Sequence, residues 1–254
     1  MEIQMTPRKC IAAKVLLWLA LSLMGGAAWA GQVVGTVINL SGPLMAKKAD
    51  GKVKILAVKS EVEQGDVLVT EKNTYALVKF IDNGEITLKP DSAFVIDQFT
   101  FEADQPDNDR ASFNLIKGGL RSVTGLLGKR NKEKFLLKTP LATIGIRGTN
   151  FTAQYVPLIP LGTPGPGLDG LAPGLYVQVL DGMIHVQNNG GQQSFSAGQF
   201  GFIPSGLMAP IIVPPNPNPN IQFTPPPAFS SSSGTTSPSA QGNGKPGDVD
   251  CIVR

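Results

Sequence analysis

Residues 74–90 read TYALVKFIDNGEITLKP, and this stretch decides the fold class. Two apolar, alternating runs flank Asp82-Asn83-Gly84, the pattern of a β-hairpin closed by a short turn. A two-residue turn at Asn83-Gly84 sets Phe80 opposite Thr87 and Val78 opposite Lys89. A three-residue turn, Asp82-Asn83-Gly84, sets Phe80 opposite Ile86 and Val78 opposite Leu88. The second register gathers four apolar side chains on one face. A one-residue slip would turn that face over, so burial selects the three-residue loop, with Gly84 left-handed. Gly84→Ala is expected to destabilise the fold.

Outward from the hairpin the same texture continues. GQVVGTVINL is a first strand, and PLMAKKADGKVKIL is a hairpin turning at Ala49, Asp50 and Gly51. SAFVIDQFTFE, ASFNLIKGG, LRSVTG and EKFLLKT read as further strands. In TNFTAQYV, Phe151, Ala153 and Tyr155 alternate with Asn150, Thr152 and Gln154, a half-buried strand. After a long irregular loop at 157–174, with five prolines and five glycines, LYVQVLDGMIHVQ and QQSFSAGQFGFIP complete the series. No apolar pattern of helical period follows the first thirty residues. The expected fold is all-β, an antiparallel β-sandwich or β-roll built from hairpins. A weak internal echo links VGTVINL and VEQGDVLVT with DGMIHVQ and FSAGQFGFI, a hint of repeated β-units.

The two ends differ from this body. Residues 1–30 run from basic (Arg8, Lys9, Lys14) through an apolar core, VLLWLALSLM, to Ala28-Trp29-Ala30, the order of a Sec-type signal peptide cleaved after Ala30. Removing them takes the formal charge from +3 to +1, which is no nucleic-acid-binding balance, and leaves no transmembrane span. Cys10 leaves with the leader, so Cys251 stands alone and no internal disulfide forms. Eleven of the 21 prolines lie from Pro204 onward. The expected division is therefore signal peptide 1–30, β-domain 31–206 and a disordered, flexible Pro/Ser-rich tail 207–254. The expected location is the periplasm or outside of a bacterium.

The available chemistry is narrow. His185 is the single histidine, and it alternates with Ile184 and Val186 on a strand, so no Ser-His-Asp or Cys-His set can be assembled around it. No nucleotide-binding or nucleophile-elbow fingerprint is present. Asp104, Asp107 and Asp109 share one loop but lack the ligand order of a calcium loop, and read as a solvated turn. Neither a metal nor a cofactor is expected, and the chain reads as no enzyme. Charge distribution says more. Residues 85–110 carry a net −5 and residues 111–150 a net +7, consecutive blocks of opposite sign. Cross-strand pairing between them is the first reading. The second is a basic face, Lys129, Arg130, Lys132 and Lys134, that attracts an anionic ligand or an acidic partner protein.

Three segments in order, EVEQGDVLVTEKNTYALVKFIDNGEITLKPDSAFVID, LIKGGLRSVTG and TPLATIGIRGTNF, give residues 58–155 a pattern that resembles the FecR domain family. The resemblance implies an all-β periplasmic module. Family regulators join this domain through a membrane span to a cytoplasmic anti-sigma region. Here only about fourteen residues precede the apolar segment, so a stand-alone exported FecR module is expected, binding an envelope protein or ligand and taking part in envelope signalling. The alternative is a structural or surface-display component of an envelope assembly.

Within TPLATIGIRGT, Pro140 ends a strand, and Ala142, Ile144 and Ile146 fall on one face. Thr143, Gly145 and Arg147 fall on the other, and Gly148 permits a bend ahead of Thr149. The favoured reading makes Arg147 a structural fork lying over Gly145, with Asp66 as its partner. The other reading makes it a ligand contact.

Overall fold

The computed structural model of the chain describes residues 31–158 except Ala49, then 171–215 and a few positions up to Phe229. The expected signal peptide, most of the 157–174 loop and Cys251 lie outside the described residues. The described chain is all-β and mostly antiparallel. Its strands are β1 Val33–Leu40, β2 Leu44–Lys47, β3 Val53–Leu56, β4 Glu61–Glu63, β5 Val67–Thr70, β6 Ala76–Phe80, β7 Glu85–Leu88, β8 Ala93–Thr100 and β9 Arg110–Val123. After a short helix α1, Leu126–Arg130, come β10 Phe135–Lys138, β11 Thr143–Ile146, β12 Asn150–Val156, β13 Gly174–Asp181, β14 Met183–Asn188, β15 Gly191–Ser196, β16 Phe200–Ile203 and β17 Ile211–Val213.

The strands form two wings that share β9. One wing runs β4-β1-β6-β7-β9-β12-β13-β16-β17. The other runs β3-β2-β5-β8-β9-β10-β11-β14-β15, with β9–β10 parallel. What sequence pattern divides into two strands is thus one strand of 14 residues. Gly118 bends it at φ +80°. Up to the bend, Ala111, Phe113 and Leu115 are buried; after it, Leu120 and Ser122 are. The switch from odd to even lets both halves face one core. Ser92 staples the bend, its hydroxyl donating to Gly119 O and accepting from Gly119 N, each at 2.9 Å.

That core is a single apolar cluster drawn from both wings. Phe113 sits at its aromatic centre, with ring centroids 5.2 Å from Phe80, 5.3 Å from Phe94 and 5.5 Å from Phe135. The echo in the sequence has a topological counterpart. β1–β4 and β13–β16 each leave the first wing, make a hairpin in the second and return to pair with their own starting strand. The glycines of the echoed turns, Gly65 and Gly198, are both left-handed, at φ +89° and +82°.

Three expectations are corrected. The β6–β7 loop has three residues, but they are Ile81, Asp82 and Asn83: Val78 faces Ile86, Ala76 faces Leu88, and Phe80 N donates to Gly84 O at 2.8 Å. The shift from the expected register is two residues, so the buried face keeps its members. Asn83, at φ +63°, takes the left-handed position that Gly84 was expected to fill. Secondly, β12 is buried on both faces, Thr152 and Gln154 included. Thirdly, β17 and the buried Ile221 and Phe229 lie inside the segment expected to be a flexible tail from Leu207. The last two corrections share a cause. Ile221 packs with Val156 and Tyr176, Phe223 lies edge-on to Tyr75 at 6.2 Å, and the Arg121 guanidinium stands 5.9 Å from the Phe223 ring. These residues cover the outer face of the first wing. The Asp50-Gly51 turn, with Gly51 left-handed at φ +84°, is as expected.

Candidate functional site: the basic corner

The second and third segments of the sequence pattern meet at one end of the wings. Thr124, after β9, and Thr149, before β12, bond reciprocally. Thr124 Oγ1 donates to Thr149 O at 2.7 Å and accepts from Thr149 N at 3.0 Å, while Thr124 N donates to Thr149 O at 2.9 Å. Both side chains are buried. This clasp holds the segment carrying Arg147 and Gly148 against the start of α1.

Asp82 fixes α1 from the other side. Its backbone carbonyl accepts from Leu126 N at 2.8 Å, and its carboxylate accepts from Gly84 N at 2.9 Å and Leu127 N at 3.2 Å. Burial raises the pKa of this carboxyl, and the backbone N–H bonds work against the rise. The approach is tight enough that a Cβ on Gly125 would overlap the Asp82 carboxylate and the Gly84 nitrogen. A Cβ on Gly84 would lie 2.9 Å from Asp82 Oδ1, so Gly84 is required for close approach and not for a left-handed turn. On its far side α1 packs on Ile146, which a Cβ at Gly128 would strike.

The basic block divides into one structural cation, Arg130, and three lysines, of which Lys129 and Lys132 are exposed and Lys134 is half-buried. Arg130 grips the buried Asp109 with two nitrogens, Nε to Oδ2 at 2.5 Å and an Nη to Oδ1 at 2.7 Å. It also donates to the carbonyls of Ala103 and Glu102 and stands 4.6 Å from the Phe101 ring. Asn131 adds a bond to Asp109 at 3.2 Å. Burial acts to raise the Asp109 pKa, and the Arg130 and Asn131 bonds override it, holding the carboxyl below the usual carboxylate range. Together with Lys138–Asp97 at 3.5 Å, this is the pairing between blocks of opposite sign. Lys129, Lys132 and Lys134, by contrast, have no side-chain hydrogen bond or ion pair among the described residues.

Arg147 is exposed and has no such partner either, which overturns the structural fork. Gly145 leaves open space, its nearest neighbour to a Cβ being His185 O at 3.9 Å, but no carboxylate reaches across it. Asp66, the expected partner, lies three strands away in the second wing, since β8, β9 and β10 separate β5 from β11. Four inter-strand spacings amount to about 19 Å, beyond any arginine's reach. Asp66 is 1% exposed and accepts from Lys48 Nζ and Glu63 N, each at 2.9 Å. The bend at Gly148 is present, at φ +64°. Gly148 and Thr149, which follow Arg147 in the chain, line a cleft of about 330 Å³ together with Lys129, Asn150 and Asp181.

Among the described residues, the side-chain hydrogen bond of His185 is with Ser194 Oγ, at 3.1 Å on an exposed face. Among the described residues, no three metal-ligating side chains converge, and no helix is long and apolar enough to cross a membrane.

Residues 66–158 match the family described as FecR protein. No curated protein sequence matches the chain. Among solved structures, one described as a cell surface anchoring domain is 19% identical, with a TM-score of 0.24, over 25% of this chain and 83% of that one. Two crystal structures of a candidate anti-sigma factor from Parabacteroides distasonis ATCC 8503 are 10% and 11% identical, with TM-scores of 0.40 and 0.41. The chain spans 58% of their length, and 58% of it is covered. Likenesses this loose carry no argument.

Proposed function

We propose that this chain, with its FecR match over residues 66–158, is a non-enzymatic, exported envelope module that binds an acidic partner protein through the corner at α1 and β11. The observation that carries the reading is the split among the cations. Among the described residues, Lys129, Lys132, Lys134 and Arg147 pair with no acid, whereas Arg130 beside them is consumed by Asp109. A solvated cation that supports no fold contact is free to meet a partner, and a cluster of them raises the encounter rate with an acidic surface. Thr124, Thr149, Asp82 and Arg130 hold the corner rigid, which lowers the ordering cost of binding. The leader-like sequence of residues 1–30 supports export, and the FecR match over residues 66–158 supports a role related to envelope signalling.

The test places a photo-crosslinking amino acid at Lys132 or Arg147, and at Gln192 on β15 as a control, in cells that produce the protein. A discrete adduct from the first two positions and none from Gln192 is expected. Equal labelling from all three, or none from the corner, overturns the reading.

A further inference from the structure

Arg121 on β9, Thr152 on β12, Gln178 on β13 and Phe200 on β16 stand side by side across four strands of the first wing. The core takes their chain neighbours, Leu120, Phe151, Ala153, Val177 and Val179, so this row lies on the outer face. Three inter-strand spacings separate Arg121 from Phe200, about 14 Å along the backbone row. A cavity of about 440 Å³ opens over the row, lined by Arg121, Asn150, Gln178, Phe200 and Phe223. That volume suits a small-molecule site, and no acidic side chain lines it. Arg121 Nε donates to Asn150 Oδ1 at 3.0 Å, and its guanidinium stands 5.9 Å from the Phe223 ring. These two contacts orient the fork. Both Nη groups of Arg121, the Asn150 NH₂ and the whole side-chain amide of Gln178 make no hydrogen bond or ion pair among the described residues.

Each group selects a different part of a ligand. An oriented guanidinium with two open nitrogens matches a carboxylate, which it holds bidentately. Primary amides both donate and accept, and so do sugar hydroxyls. The electron-rich faces of Phe200 and Phe223 attract the C–H face of a sugar ring. A bare carboxylate satisfies Arg121 and leaves the amides and rings unused, and a neutral sugar leaves Arg121 unused. The ligand that uses all three is a pyranose bearing a carboxylate. Phe200 also lines a second, apolar cavity of about 390 Å³ with Tyr176 and Phe202, whose ring centroids are 4.7 Å apart, so the groove runs on past one sugar. We propose that the outer face of the first wing binds an acidic glycan. Its carboxylate sits on Arg121, its hydroxyls on Asn150 and Gln178, and its ring faces on Phe200 and Phe223. The site uses none of the four cations of the basic corner, so the two readings fail independently.

Calorimetric titration of the full-length protein tests this with two acidic sugars. Tri-galacturonate carries its carboxylate on the ring, and N-acetylglucosaminyl-N-acetylmuramic acid carries it on a lactyl ether. Binding is expected, and the tighter of the two identifies the source as a uronate polymer or a peptidoglycan glycan. Maltotriose lacks the acid, benzoate the hydroxyls and glutarate the ring, and each is expected to bind about tenfold or more weakly. Arg121→Gln should weaken the acidic sugar about tenfold. Arg121 also stands against Phe223, so Gln178→Ala, which breaks no hydrogen bond among the described residues, is the second variant. It should cost about fivefold in affinity at an unchanged unfolding midpoint, and Gln192→Ala on β15 should cost nothing. No binding of either acidic sugar overturns the proposal. Maltotriose binding as tightly overturns the acidic ligand, and benzoate or glutarate binding as tightly overturns the sugar. Full affinity in both Arg121→Gln and Gln178→Ala overturns the site.

Discussion

Arg130 and Arg147 stand at the same end of the molecule, on either side of β10 and β11, and they do opposite things. Arg130 follows a short helix in a lysine-rich stretch of unremarkable sequence, yet it closes on a buried carboxylate, two carbonyls and an aromatic ring. Arg147 sits in the most conspicuous motif of the chain, between two glycines, and makes no side-chain hydrogen bond or ion pair among the described residues. Strand alternation predicts the side on which a residue lies. It does not predict what the topology brings to that side, and the value of a charge to the fold depends on the latter.

Breaking Arg130 should cost the most. Arg130→Ala removes both guanidinium bonds to the buried Asp109 carboxylate and leaves it only Asn131 and the Glu102 N–H, and the largest loss of the series is expected in urea unfolding. The pair also carries a pH signature. Because the Asp109 pKa is depressed in the fold, its stabilisation is complete above the unfolded value, near 3.8, and is lost as pH falls through the folded one. Acid unfolding of Arg130→Ala should therefore show a weaker dependence on pH below 4. A full-strength acid transition would mean other carboxylates dominate.

Gly125→Ala comes next. The overlap with Asp82 and Gly84 must be relieved by moving α1, at about 2–3 kcal/mol, and Gly84→Ala should cost about 1 kcal/mol. If Gly84→Ala proves the worse of the two, the left-handed turn belongs at Gly84 after all.

Lys89 sharpens the contrast from another side. Burial lowers its pKa to about 8. Between pH 8 and 10.5 the unfolded chain holds a proton there that the fold has released, so stability from this group rises with pH across that window. Chemical melts at pH 7.5 and 9.5 should show the rise, and Lys89→Met should flatten it.

Smallest of all is Arg147→Ala, expected to change stability by less than about 0.5 kcal/mol.

The sequence made the buried face of most strands legible, β12 excepted, and less of the pairing. In the β6–β7 hairpin the apolar set Val78, Phe80, Ile86 and Leu88 follows from alternation alone, and survives a two-residue error in register because parity is unchanged. The register itself is set with help from Leu127, 45 residues from Asp82, and no local pattern encodes that bond. Gly118-Gly119 reads as a break between strands, while the structure uses it as a bend within one. The opposite-sign blocks pointed to pairing between them, but not to Asp109 among seven acids. Proline-rich composition argued against burial after Leu207. Ile221 and Phe229 are nevertheless buried, because they lean on a finished sheet and need no core of their own.

The central claim is that the corner's four cations Lys129, Lys132, Lys134 and Arg147 serve binding and not folding. It is tested by Lys129→Glu/Lys132→Glu/Lys134→Glu/Arg147→Glu, with the photo-crosslinker placed at Leu126 beside them. The account predicts loss of the adduct with an unfolding midpoint close to that of the native protein. An adduct formed at native yield by this variant would contradict it.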